Sequence, residues 1–172
     1  MSASLKSIVS RPNSSPAKQL AAFLARYDPA IAAKARAAIA YLRNRLPNAT
    51  ELVYDNYNAL AIGFGPSDRA SEAILSLAVY PRWISLFFLQ GTTLPDPQRI
   101  LRGSGTRVRH IVLNDAQEMQ LPAVEALISI ALATAKKPLD PKARRSLLIK
   151  SVAAKQRPRR PPDKPGTGRR KN

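Results

Sequence analysis

Residues 79–113 constrain this chain more than any other stretch. They read VYPRWISLFFLQGTTLPDPQRILRGSGTRVRHIVL, two apolar runs separated by turn chemistry, and they hold the sole Trp and the sole His. Short runs rich in branched and aromatic residues, bounded by Gly, Pro, Asp and Ser, read as strands. Strands are expected over residues 58–64, 73–79, 82–90 and 107–113. The connection at Tyr80-Pro81 is so short that the strands it joins must be an antiparallel hairpin. Pro95-Asp96-Pro97 and Gly103-Ser104-Gly105 bracket a short helical turn around residues 99–101. In the third strand, Ile84, Leu86 and Phe88 point one way, and Trp83, Ser85, Phe87 and Leu89 the other. Both faces are apolar, which suits a central strand covered on both sides or a sheet that meets a second copy of the chain. A homo-oligomer through the sheet is therefore one expectation.

The flanks are helical. Leu20, Phe23, Leu24 and Tyr27 fall at helical spacing. Asp28-Pro29 supplies an N-cap followed by Pro at the first helical position. Ile31, Ala35, Ala38, Ile39, Leu42 and Leu46 then form one apolar stripe, stopped by Pro47. A later helix begins at Leu121-Pro122, buries Val124, Leu127, Ile128, Ala131 and Leu132, and ends near Lys136-Lys137-Pro138. Asp140-Pro141 repeats the cap signal and predicts a last helix over 141–156. Residues 157–172 lack apolar side chains except prolines, so disorder is expected there, as is a mobile leader over 1–15. Helices, then strands, then helices argue for an α+β fold with helices packed on an antiparallel sheet. The domain is placed at 16–137 and a basic extension at 138–172.

Composition narrows the function. The chain has no Cys, which excludes disulfides, thiolate metal sites and a Cys nucleophile. No apolar run reaches the roughly 18 residues needed to cross a bilayer, and no secretory signal is evident, so a cytoplasmic protein is expected. The net charge is +17. Residues 136–172 carry 14 Lys or Arg against 2 Asp, a net +12. Such asymmetry points to a polyanionic partner, nucleic acid above all. The cations expected to meet phosphate include Lys142, Arg144, Arg145, Arg157, Arg159 and Arg160, with Arg169, Arg170 and Lys171 near the end. No aromatic lies among them, so binding without sequence preference is expected. Leu148 and Val152 sit beside Arg145 at helical spacing, so apolar and basic faces do not segregate and a membrane surface is not expected.

The combination LFFLQG, LPDP, LRGSG and RHIVL, over residues 16–135, resembles the bacterial YdhG-like domain family. The resemblance implies an antiparallel sheet with flanking helices, similar to the frataxin fold. It also implies iron handling as an alternative function, since some members are linked to it. It implies no catalytic residue and no other cofactor.

Read from the residues alone, three constellations stand out. Gly103-Ser104-Gly105 with Arg107 and Arg109 is either an anion nest or a tight turn with solvated arginines. His110 is either a ligand-facing group or a hydrogen-bonded core histidine, and it has no second His to pair with. Tyr57, in the cluster 54–58, either lines a pocket or belongs to a connection. The acids Glu51, Asp55, Asp68, Glu72 and Asp96 are scattered among arginines. Asp115, Glu118 and Glu125 make a thin cluster against the several oxygen ligands that iron needs. No catalytic constellation emerges, and a non-catalytic binding protein is expected.

Overall fold

The computed structural model describes residues 14–162. Most of the expected leader lies outside them, as do Arg169, Arg170 and Lys171. Helix α1 (Pro16–Ala25) starts at Ser15, whose hydroxyl accepts from the Lys18 N–H. Helix α2 (Pro29–Arg45) starts at Asp28, whose carboxylate accepts from the Ala30 N–H at 3.0 Å. A side-chain oxygen there satisfies one of the orphan donors of the first turn. Helix α3 (Pro122–Ala133) also opens on a proline.

Six strands form one sheet in the order β5-β4-β3-β2-β1-β6. Strands β1 (Thr50–Asp55), β2 (Leu60–Gly65), β3 (Leu75–Val79), β4 (Ile84–Phe88) and β5 (Arg109–Leu113) make a continuous antiparallel meander. Strand β6 (Ser146–Val152) joins the free edge of β1 in parallel, with a bulge at Val53/Tyr54. The fold is thus α+β with a mixed sheet, rather than the purely antiparallel sheet expected.

All three helices pack on one sheet face. Alternate residues Leu60, Ile62, Leu75, Leu77, Ile84 and Leu86 meet the apolar stripes of α1, α2 and α3 in a single core. The expected stripe of α2 is buried along its whole length. Tyr27, just past α1, donates its hydroxyl to the Val79 carbonyl at 2.8 Å and accepts from the Leu60 N–H at 3.1 Å, tying α1 to β2 and β3. Burial pushes this hydroxyl's pKa up, which keeps it neutral and able to donate.

The expected helix over 141–156 is corrected. Asp140 caps only a turn, accepting from the Lys142 N–H at 2.8 Å, and the chain then extends into β6. Leu147 and Ile149 pack against the core while Leu148 and Lys150 alternate outward, the period of a strand. After β6 the chain lies against the end of β1 and the β1–β2 turn. Its Ala153 and Arg157 N–H groups donate to the carbonyls of Asp55 and Tyr57. We call residues 153–162 the arm. The expected turn near residue 99 is a loop in which the Asp96 carboxylate accepts from the Ile100 and Leu101 N–H groups.

Candidate binding groove on the open sheet face

The helices leave the other sheet face partly open: Leu52, Ala78 and Ser85 on it are buried, while Phe87 is half-buried. The floor of this face is made of small side chains, Ala61 on β2 with Ser76 and Ala78 on β3. Small residues in the middle and large ones at the margins create a concave surface. A groove of about 1010 Å³ lies here. One wall is Tyr80 and Trp83, at the two ends of the β3–β4 turn, where the Tyr80 N–H donates to the Trp83 carbonyl at 2.9 Å. Their rings stack with centroids 4.8 Å apart, yet Trp83 remains 43% exposed. Tyr80 is buried deeply enough that its hydroxyl titrates above its ordinary range. Farther along β4, Phe87 also lines the groove and stacks on His110, its register partner on β5, at 5.0 Å.

The opposite wall is Tyr57, in the β1–β2 turn, together with the arm. Arg157 lies 5.8 Å over the Tyr57 ring, a cation–π distance. Arg82 from the β3–β4 turn and Arg160 from the arm complete the cationic lining. Among the described residues no acid lines the groove. None of Arg82, Arg157 and Arg160 has an acidic partner among the described residues. Arg160 donates to the Arg26 carbonyl at 3.3 Å.

The arm is held by one buried contact. Arg159 is 3% exposed and Asp55 is 0% exposed. Arg159 Nη2 donates to Asp55 Oδ1 at 2.7 Å and also to the Asn56 carbonyl, and Nη1 reaches the Tyr57 carbonyl at 3.3 Å. Arg26 approaches the other carboxylate oxygen of Asp55 at 3.0 Å. The Arg159 guanidinium also lies 5.7 Å over the Tyr27 ring. One arginine thereby fixes the turn carrying Tyr57 and the arm carrying Arg157 and Arg160.

The sequence-predicted residues fall into three groups. Tyr57, Arg157 and Arg160 come together in the groove, and His110 extends its aromatic wall through Phe87. Gly103, Ser104, Gly105 and Arg107 are exposed on the β4–β5 loop and outside the groove. The Arg109 guanidinium donates to the carbonyls of Gly105 and Val108, so it faces the loop's own oxygens. Arg159 and Arg145 face acids instead, Arg145 lying 3.8 Å from Glu51. Lys142 and Arg144 are exposed near the start of β6. Arg82, Tyr80 and Trp83 were not among the predicted site residues. The missed signal is that a proline-containing hairpin turn with Tyr, Arg and Trp puts all three at one sheet margin.

Three further acids, Glu51, Glu125 and Glu72, are held in ion pairs. Arg43 grips the buried Glu51 with two bonds of 2.8 Å. Glu125 receives Arg45 at 2.6 Å and the Tyr41 hydroxyl. Burial pushes the Glu125 carboxyl up, but the hydrogen bonds from Tyr41 and Arg45 outweigh it and hold it below the usual range. Glu72 is lowered by the Ser67 hydroxyl and by Lys137, which approaches at 3.1 Å. Among the described residues no group of three or more His, Asp or Glu could hold a metal ion. No described helix is long and apolar enough to cross a membrane.

Comparison with protein-family models, curated proteins and solved structures finds no match to this chain.

Proposed function

We propose that this protein is a non-catalytic binding domain for nucleic acid or a similar polyanion, engaged without sequence preference. The observation that carries the reading is the charge of the groove. Three arginines line it, and among the described residues none of them has an acidic partner and no acid joins them, in a chain of net charge +17. Arginine is the suited cation here, because its planar fork matches phosphate and it is weakly hydrated. Each phosphate neutralised releases condensed counterions, so affinity must fall steeply with salt. Residues 163–172 add Lys164, Arg169, Arg170 and Lys171 against the single Asp163 to the charge of the chain. We place the protein in the YdhG-like family on the residues that resemble it, and that placement contributes nothing to the choice of ligand.

The test is affinity for a generic single-stranded oligonucleotide over a salt series, with three chains compared. Three arginine–phosphate contacts contribute a log–log slope of about −2 on a single strand, and four further cations about −3. The full chain is expected to show both contributions. The chain ending at Pro162 keeps the first, and R82S/R157S/R160S loses it. Equal slopes in all three chains, or binding indifferent to salt, would refute the reading.

A further inference from the structure

We infer that the open sheet face is a stacking platform for single-stranded nucleic acid, with bases laid on the Tyr80–Trp83 and Phe87–His110 pairs. The inference rests on the polyanion reading and specifies its ligand. Phosphate charge alone does not explain the aromatic groups. A duplex hides its base faces, whereas an unpaired strand can lay them on aromatic rings, and every base has such a face.

Four observations converge on this ligand. First, two aromatic pairs sit on the same sheet face, one beside the start of β4 and one near its end. Residues 83 and 87 are separated by roughly 13 Å at the rise of a strand, a spacing suited to a short run of stacked bases. Second, Trp83 is 43% exposed although stacked on Tyr80, so one ring face is available. Third, the floor beside the pairs, on β2 and β3, is Ala61, Ser76 and Ala78, small enough to leave depth for a planar ring. Fourth, Arg82 stands beside the first pair, while Arg157 and Arg160 stand across the groove, so cations border the platform on both sides. Side chains of this kind and this absence of acids complement a strand with planar bases and a regular anionic backbone. An acidic peptide would use the arginines but leave the ring faces idle.

Trp83 is the sole tryptophan, so emission excited at the red edge, where tyrosine does not absorb, reports on the platform. The experiment titrates the full chain with a thymidine oligonucleotide, an abasic oligonucleotide of equal phosphate number, a duplex of the same length, and inorganic polyphosphate. Emission, affinity and sedimentation are followed. The thymidine strand is expected to quench Trp83 and to bind most tightly. Trp83→Ala is expected to weaken it roughly 5- to 150-fold, the range carried by one stacked base, while leaving polyphosphate affinity unchanged. Phe87→Ser serves as the second variant should Trp83→Ala unfold, and each is checked by thermal melting. Equal binding of all four polyanions without quenching overturns the stacking inference and leaves the polyanion reading standing. Failure of every polyanion to bind overturns both. A stable dimer that excludes the oligonucleotide from this face also overturns the inference.

Discussion

Replacing Arg159 by Ala should unlatch the arm, and the structure sets the size of the effect. Arg159 and Asp55 are both buried, and their ion pair at 2.7 Å is accompanied by two bonds to backbone carbonyls. Removing one partner of a buried pair typically costs about 3–5 kcal/mol, because the other charge stays buried without its counterpart. Two features lower that figure here. Arg26 still reaches Asp55 at 3.0 Å and is half exposed, so the carboxylate keeps one solvated cation. Arg159 Nε is itself buried without a partner, so its removal also relieves an unsatisfied donor. A loss of about 2–3 kcal/mol results, or roughly 4–12 °C in Tm for a domain of this size. The assay is urea and thermal unfolding followed by circular dichroism, with Arg160→Ala as the exposed neighbour, expected within about 0.5 kcal/mol of wild type. Arg159→Lys should not recover the loss, since a single ammonium cannot replace the fork across Asp55, Asn56 and Tyr57. Arg159→Ala unfolding within about 0.5 kcal/mol of wild type would refute the reasoning. The arm would then be attached weakly, and the groove would lose the wall that carries Arg157 and Arg160.

Three further outcomes follow from the same geometry. A chain ending at Pro138 should melt at lower temperature and aggregate in size-exclusion chromatography, because it exposes the β1 edge and removes Arg145 and Arg159 from Glu51 and Asp55. Gly91→Ala should cost about 1–3 kcal/mol in urea unfolding, since an added Cβ would lie 2.4 Å from the Arg109 Cβ and 2.7 Å from its backbone nitrogen. Burial and the hydrogen bond to Glu125 push the Tyr41 pKa up to about 12 from 10.0. The folded state therefore holds its proton where the unfolded chain releases it, and this stability is present below pH 10 and lost as pH rises toward 12. Tyr41→Phe should flatten that segment of the stability–pH curve relative to wild type, by roughly 1–2 kcal/mol.

The helices and four of the strands were legible because their signals are local. Asp28-Pro29 caps α2, Pro122 opens α3, and the runs in residues 58–64, 73–79, 82–90 and 107–113 hold β2 to β5. Strand β1 was not read as a strand because Glu51 and Asp55 look like solvent-facing acids. Their burial depends on Arg43 and Arg159, and Arg159 lies 104 residues from Asp55. Strand β6 was misread because an Asp-Pro turn uses the same Asx chemistry as a helix cap. Its partner β1 is also distant in sequence, Thr50 pairing with Ser146. Residues 157–162 of the arm read as disordered because they lack apolar side chains other than prolines. One buried guanidinium and two backbone hydrogen bonds order it, and composition does not register either. Lys137, Arg145 and Arg159 meet Glu72, Glu51 and Asp55, which their sequence neighbours do not reveal. The charge asymmetry was legible, but the groove was not, because it needs the β1–β2 turn, the β3–β4 turn and the arm brought together.

The most direct measurement is amide and indole NMR mapping of the full chain titrated with a short single-stranded oligonucleotide. Perturbations are expected at Ala61, Ser76, Ala78, the Trp83 indole and the amides of Arg157 and Arg160, with α1 and α2 undisturbed. Shifts confined to the Gly103–Gly105 turn, or to residues beyond Pro162, would place the polyanion elsewhere and contradict a groove built on the open sheet face.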